Sequence, residues 1–222
     1  MTKEKRKKRK KRTSHNNHTA VKKSKKRRSQ GSKKKKAQKE VKVKIFKELK
    51  MLTTAFAICL TIIAISIFLT TTFGKMTGYS MLPTVNNNDV FSINKVTSIK
   101  NFDVVYLKVP KKNGEKSVRR VIGIPGDELS YKNDELSINT IGKSERYLNN
   151  RKNDLLGGIL TEDFTLKSLT GQSKVPKDHY FVMGDNRQSS ADSRDYGFVH
   201  KKDIIGKVEV VLFPLSNLKN IR

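Results

Sequence analysis

Cysteine is almost missing: Cys59 is the single one among 222 residues. No disulfide can form within the chain, so a domain outside the cytoplasm must be held by its core alone. Acidic residues are scarce at the N-terminus. Residues 1–50 hold 24 Lys and Arg against three acids, Glu4, Glu40 and Glu48. Apolar residues are nearly absent there up to Val41, and no aromatic interrupts the charge before Phe46. Such a segment cannot bury enough apolar surface to offset chain entropy, so residues 1–50 are expected to be a disordered polybasic tail. The lack of interleaved aromatics removes stacking on bases but not contact with a phosphate backbone, and nucleic acid is the less expected partner. Anionic lipid is the expected one, because each Lys or Arg near such a surface contributes about 1 kcal/mol. Of the chain's net charge of +28, the tail carries +21. The remaining +7 does not mark a DNA-binding fold.

Histidine is also rare. His15 and His18 lie in the tail as polar residues, and only His179 and His200 fall outside it. Neither has a local setting that marks it as a base, and no metal or cofactor site is expected.

One long uncharged run is present. Met51 to Gly74 is 24 residues without a charge, bounded by Lys50 and Lys75. A helix rising about 1.5 Å per residue over this length spans a hydrocarbon core of about 30 Å. The run is longer than the apolar region of a cleavable leader, and no small-x-small exit site follows it. Residues 51–73 are expected to be an uncleaved, single-pass transmembrane helix. The basic flank places residues 1–50 in the cytoplasm and residues 74–222 outside it. Six residues, Gly74 to Tyr79, then separate Phe73 from Ser80. Fully extended they reach about 20–25 Å, so Ser80 is expected near the lipid surface.

Strong helical periodicity is missing beyond the run. Residues 89–94, 118–124 and 207–213 alternate with period two. Breakers such as Asn86-Asn87-Asn88, Asn133-Asp134 and Pro125-Gly126-Asp127 punctuate them. Lys112-Asn113-Gly114-Glu115 between two apolar runs is a hairpin signal. The fold class is therefore mostly β. Residues at about 128–177 show few strand patterns and are expected to be a cap inserted in a β core formed by residues 77–127 and 178–217.

Three stretches carry the chemistry: Gly78-Tyr79-Ser80-Met81-Leu82-Pro83-Thr84, Arg119–Asp127, and Gly184-Asp185-Asn186-Arg187-Gln188-Ser189-Ser190-Ala191-Asp192-Ser193-Arg194. A serine needs a base before it attacks, because a free hydroxyl barely ionises at neutral pH. With no histidine suited to the task, a lysine deprotonated by burial is the remaining solution. At this point the chain resembles the bacterial type I signal peptidases, the Ser-Lys serine peptidases of family S26. The first stretch resembles their G-x-S-M-x-P-T box. Arg119–Asp127 resembles K-R-x-x-G-x-P-G-D, and Gly184–Arg194 matches G-D-N-R-x-x-S-x-D-S-R at each specified position. Asn101-Phe102-Asp103-Val104-Val105 resembles a further box in which Gly is usual at the place of Asn101.

The resemblance implies an antiparallel β-sheet catalytic core, no cofactor, and removal of signal peptides from exported preproteins after an A-x-A-like segment. It implies Ser80 as nucleophile, with its own N–H at the oxyanion and Gly78 in support. Ser190 would orient the base. Arg120 would pair with Asp185 and Asp192 with Arg194, supporting the site. The general-base lysine falls where this chain has Arg119. A guanidinium can donate hydrogen bonds but cannot take the serine proton. Lys116, three residues earlier, would point to the opposite face of a strand and could substitute only through a register change. Two activities follow. One is a signal peptidase that works with another base; the alternative is a catalytically impaired homologue that assists preprotein or pilin assembly without cutting.

Overall fold

The computed structural model describes residues 4–110, 112–155 and 158–221, with side chains from residue 33 onward. Two compact units divide the chain at residues 64 and 65.

The first unit belongs to one helix, α1, Glu4–Thr70. Residues 4–50, expected to be disordered, continue the helix backwards from the apolar run. Lys, Arg, Gln and Glu lose little rotamer freedom in a helix, and this stretch contains no proline and only Gly31. One section, Lys33–Thr70, is long and apolar enough to cross a membrane, and none of it is buried by protein. Thr53, Thr54, Thr61 and Thr70 turn their hydroxyls back onto carbonyls three or four residues earlier. These hydroxyls are thereby paired within the helix itself.

The helix stops at Thr70, not at residue 73. Thr71–Lys75 is a strand, β1, that pairs antiparallel with β2, Val90–Asn94. Two β-branched residues and Phe73 favour the pleated form once a partner edge is available. Gly74 faces the ring of Phe91, and a Cβ there would stand 2.6 Å from it. The small residue lets β1 lie close against β2.

The second unit is built on an antiparallel sheet. Its further strands are β3 (Val104–Lys108), β4 (Lys116–Gly123), β9 (His179–Met183), β10 (Val199–His200), β11 (Ile204–Phe213) and β12 (Lys219–Asn220). The order is β1-β2-β11-β3-β4-β9-β10, with β12 also on β11. β3 and β4 are joined across the expected hairpin, where Val109 N–H bonds to Glu115 O. Both faces of the sheet are covered. Val104 and Val118 join Phe91, Ile93, Val208 and Val211 in one cluster, while Val105, Leu107 and Val121 join Val182 and Val199 in another. This alternation follows from side chains pointing to opposite faces along a strand. With no disulfide available, these fully buried side chains, each worth about 1.5–3 kcal/mol, carry the fold.

The inserted segment has more strand than its sequence suggests. β5 (Leu129–Lys132), β6 (Glu135–Ile138), β7 (Ile141–Lys143) and β8 (Phe164–Thr165) form a second sheet in the order β7-β6-β5-β8. The strands are two to four residues long, too short for a period-two pattern to show. Asn133 and Asp134 both have positive φ, 52° and 62°, as a tight hairpin between β5 and β6 requires. Leu129, Tyr131, Leu136 and Ile138 of this sheet pack with Ile122, Phe181 and Met183 of the larger one. Short helices α2 (Asn149–Asp154), α3 (Leu166–Thr170) and α4 (Ser193–Tyr196) complete the unit.

Candidate active site

Ser80 sits in a turn between β1 and β2, half-buried. The turn begins at Gly78, whose φ of +87° is open to glycine and strained for other residues. Gly78 N–H donates to Asn87 Oδ1 at 3.0 Å. The far side of the turn is clamped by Asn186. Its N–H donates to Ser80 O at 3.0 Å and its Nδ2 to Tyr79 O at 3.1 Å. Arg151 of α2 fixes the orientation of that amide, donating from Nη2 to Asn186 Oδ1 at 2.6 Å.

Strand β4 delivers Arg119 and Arg120 to opposite faces, as adjacent strand residues must be. Arg119 is 5% exposed. Its Nη1 donates to Ser80 Oγ at 2.7 Å, to Val118 O at 2.6 Å and to Ser117 Oγ. Nε and Nη2 both donate to Ala191 O, at 3.1 and 2.6 Å. Its acceptors are all neutral oxygens. The pairing of β3 with β4 is regular from Val104↔Arg120 to Lys108↔Lys116. The register change that would bring Lys116 to the serine is therefore not present. Lys116 stands exposed at the far end of the strand.

Arg120 is fully buried and forms a two-pronged pair with Asp185, Nε–Oδ1 at 2.9 Å and Nη2–Oδ2 at 2.6 Å. Burial disfavours its charge, but the Asp185 carboxylate outweighs burial, and the net shift of its pKa is upward. Thr84, from the serine turn, donates its hydroxyl to Asp185 Oδ2. The ring of Tyr147 lies 3.9 Å from the Arg120 guanidinium carbon, a cation–π contact made out of water. Arg194 pairs with Asp192, Nε–Oδ1 at 2.9 Å and Nη2–Oδ2 at 2.8 Å. Asp192 also caps α4 and accepts from Gly184 N–H at 3.0 Å.

Ser190 stands apart from this network. Its hydroxyl is buried and has no hydrogen-bond partner among the described residues, so it does not orient the group at position 119. The guanidinium reaches past it to Ala191 O. Ser190 packs instead against Gly184, where an added Cβ would lie 2.1 Å from its Oγ. Asn101 donates from Nδ2 to Ile122 O at 2.9 Å and to Asp127 Oδ2 at 2.7 Å. It ties the turn ahead of β3 to the Pro125-Gly126-Asp127 turn. His179 and His200 face each other across β9 and β10, with ring centroids 4.8 Å apart.

Several residues with no assigned part in the sequence hold the site loop. Arg187 is buried and pairs with Glu145, and it donates to Tyr131 Oη at 3.0 Å, Thr161 Oγ1 at 2.9 Å and Gly184 O at 3.0 Å. Tyr147 donates to the same Glu145 oxygen. Burial, more than any neighbouring charge, pushes the phenols of Tyr131 and Tyr147 well above their ordinary value. Arg187 and Asn186 fall inside a recognised box. Glu145, Tyr147 and Arg151 lie in the cap, where no local pattern distinguishes them from surface polar residues.

A half-buried serine on a turn, an arginine pair at the middle of a β strand and a buried Asp185–Arg120 bridge make up a serine-centred site on an antiparallel β-sheet protein. The sequence profile described as "Signal peptidase, peptidase S26" matches residues 48–213. The chain belongs to that family. It is 44% identical over 143 residues to signal peptidase I of Bacillus caldolyticus, covering 63% of this chain and 78% of that protein. It is 36% identical over 190 residues to signal peptidase I of Bacillus amyloliquefaciens, covering 83% of this chain and all of that protein. A crystal structure of a signal peptidase I from Enterococcus faecalis V583 is 37% identical and aligns with a TM-score of 0.48, over 50% of this chain and 97% of that one.

Proposed function

We propose that this chain is a membrane-anchored serine endopeptidase of the signal peptidase I type, which removes signal peptides from exported preproteins after an A-x-A-like segment. The observation that carries this reading is the clamp on the Ser80 turn. Asn186 holds both Tyr79 O and Ser80 O, while the Ser80 N–H has no acceptor among the described residues. A scissile carbonyl oxygen seated against that N–H would be stabilised as its charge develops. Ser80 Oγ attacks the carbonyl carbon, and the departing amine takes up a proton as the peptide bond breaks. Arg119 cannot accept the serine proton, so the proton leaves to water and turnover is slow. Gly78 supports the turn. Arg120, Asp185, Asp192 and Arg194 hold the site loops without touching the reacting atoms. The basic flank sets residues 1–50 in the cytoplasm against anionic lipid and the β domain outside.

A second reading is favoured by one contact, the 2.7 Å donation from Arg119 to Ser80 Oγ. A serine oxygen whose lone pair is engaged by a guanidinium, with no base beside it to take its proton, is a weak nucleophile. On this reading the chain binds preproteins or pilin-like chains without cutting them. Cleavage of a preprotein by the wild type, Ser80→Ala and Arg119→Lys, assayed side by side in vesicles, separates the two. Wild-type cleavage lost in Ser80→Ala supports the peptidase. An inert wild type that gains activity as Arg119→Lys supports the binder.

A further inference from the structure

Arg119 differs from the other buried arginines of the β domain in one respect. Arg120 and Arg187 each meet a carboxylate, Asp185 and Glu145. Half-exposed Arg194 also meets one, Asp192. Arg119, 5% exposed, has no ion pair among the described residues; it donates to two hydroxyls and two carbonyls, and the mostly buried, neutral Tyr196 phenol lies within reach of its charge. A permanent charge is thus buried at the nucleophile with nothing of opposite sign against it, a condition that costs energy unless a partner supplies the anion.

The polarity of the Ser80 hydrogen bond adds a second constraint. A neutral lysine amine would accept the serine proton, drawing the hydroxyl hydrogen inward. A guanidinium has no acceptor, so Ser80 Oγ accepts from Arg119 and its own O–H must turn elsewhere. Among the described residues no group takes that hydrogen, nor the Ser80 N–H. Two donors on one residue are therefore left for a bound peptide, beside a cation with no carboxylate against it among the described residues.

We propose that this site preferentially holds the C-terminal carboxylate of an already cleaved peptide ending in small residues, rather than an intact peptide bond. This rests on the reading that the site receives the residues preceding a signal-peptide cleavage point. An intact bond offers a neutral carbonyl. A carboxylate offers the same oxygen geometry and a full charge. One of its oxygens takes the Ser80 N–H and O–H, and its charge offsets the guanidinium through the bridging hydroxyl. Hydrogen bonds to an ionised acceptor are about twice as strong as neutral ones. The site thereby becomes a holder of peptide ends.

The test uses the full chain in detergent micelles and two synthetic peptides ending in Ala-Gln-Ala, one with a free C-terminal carboxylate and one with a C-terminal amide. The carboxylate form is expected to bind about tenfold tighter or more, the effect of one charge-assisted contact. The ratio is expected to fall to near one in Arg119→Met and to drop markedly in Ser80→Ala. Ser80→Ala keeps the test decisive if Arg119→Met does not fold. Equal binding of both peptides by the wild type overturns the proposal and leaves the peptide-site reading standing. A ratio unchanged in Arg119→Met overturns it too, by tracing the preference to the basic tail. Binding of neither peptide overturns both the proposal and the reading beneath it.

Discussion

Arg119 donates from Nη1 to Ser80 Oγ at 2.7 Å, so the side chain beside the proposed nucleophile is a donor where serine catalysis needs an acceptor. That single polarity governs the first expected outcome. Arg119→Lys is expected to raise preprotein cleavage about 10²-fold or more, the range by which a positioned general base accelerates a reaction. The gain should vanish in the Ser80→Ala, Arg119→Lys double variant. Activity of Arg119→Lys should rise with pH as the lysine loses its proton. Initial rates measured from pH 6 to pH 10 check this. A flat profile would mean that the lysine does not act as the base.

Asn186 and Arg151 are expected to matter for positioning. Asn186→Ala removes the bond to Tyr79 O, and Arg151→Ala frees the amide to rotate. In the Arg119→Lys background both should lower kcat more than they raise KM, with Asn186→Ala the larger effect. Steady-state kinetics on a preprotein decides it; a pure rise in KM would place both residues in substrate binding.

The Arg187–Glu145 pair should show as stability. Arg187→Leu leaves a buried carboxylate unpaired and is expected to cost about 3–5 kcal/mol. Glu145→Gln with Arg187→Leu should recover part of that loss. Urea unfolding of the β domain within the full chain reads both. Additive losses would mean that the two side chains do not interact.

Tyr131 and Tyr147 set an alkaline limit. Burial raises both phenols well above the value they have in an unfolded chain. Above about pH 10 the unfolded chain sheds these protons while the folded one retains them, so stability falls as pH rises from there. Below that pH the contribution is fully present. Tyr147→Phe should lessen the slope of stability between pH 10 and 11.5. An unchanged slope would assign the alkaline loss to other groups.

Gly184 tests the packing of the site loop. A Cβ there would stand 2.1 Å from Ser190 Oγ and 2.6 Å from Ser80 O. Since backbone cannot give way as a flexible side-chain end can, Gly184→Ala is expected to displace the serine turn and abolish the cleavage gained in Arg119→Lys. Unimpaired cleavage would show that the loop yields at little cost.

Much of the architecture is legible in the chain. Alternation in residues 89–94 and 118–124 shows up as β2 and β4 because both are long enough, and buried enough, for their period to be read. The 24-residue uncharged run announces a helix of membrane-spanning length, but its last residues did not follow it. Thr71 to Gly74 are as compatible with a strand as with a helix, and the edge of β2 decides between them. The tail presents a similar balance. Its charge argues for disorder and its straight-chain side chains argue for helix, and helix is the outcome from Glu4 onward.

The site divides along the same line. Residue identity alone determines that position 119 cannot accept a proton, because the guanidinium's basicity is intrinsic and survives any fold. It likewise brings Ser80, Arg120, Asp185, Asp192 and Arg194 to notice through their spacing in three short boxes. Tertiary structure alone decides that, among the described residues, Arg119 has no carboxylate while its neighbours do and Ser190 has no partner, and that Glu145, Tyr147 and Arg151 reach across from the cap. Hydrogen-bond partners at the site join residues far apart in the chain, 101 positions for Thr84 and Asp185 and 107 for Tyr79 and Asn186. Such pairings are set by how the two sheets pack, and no local stretch of sequence contains them.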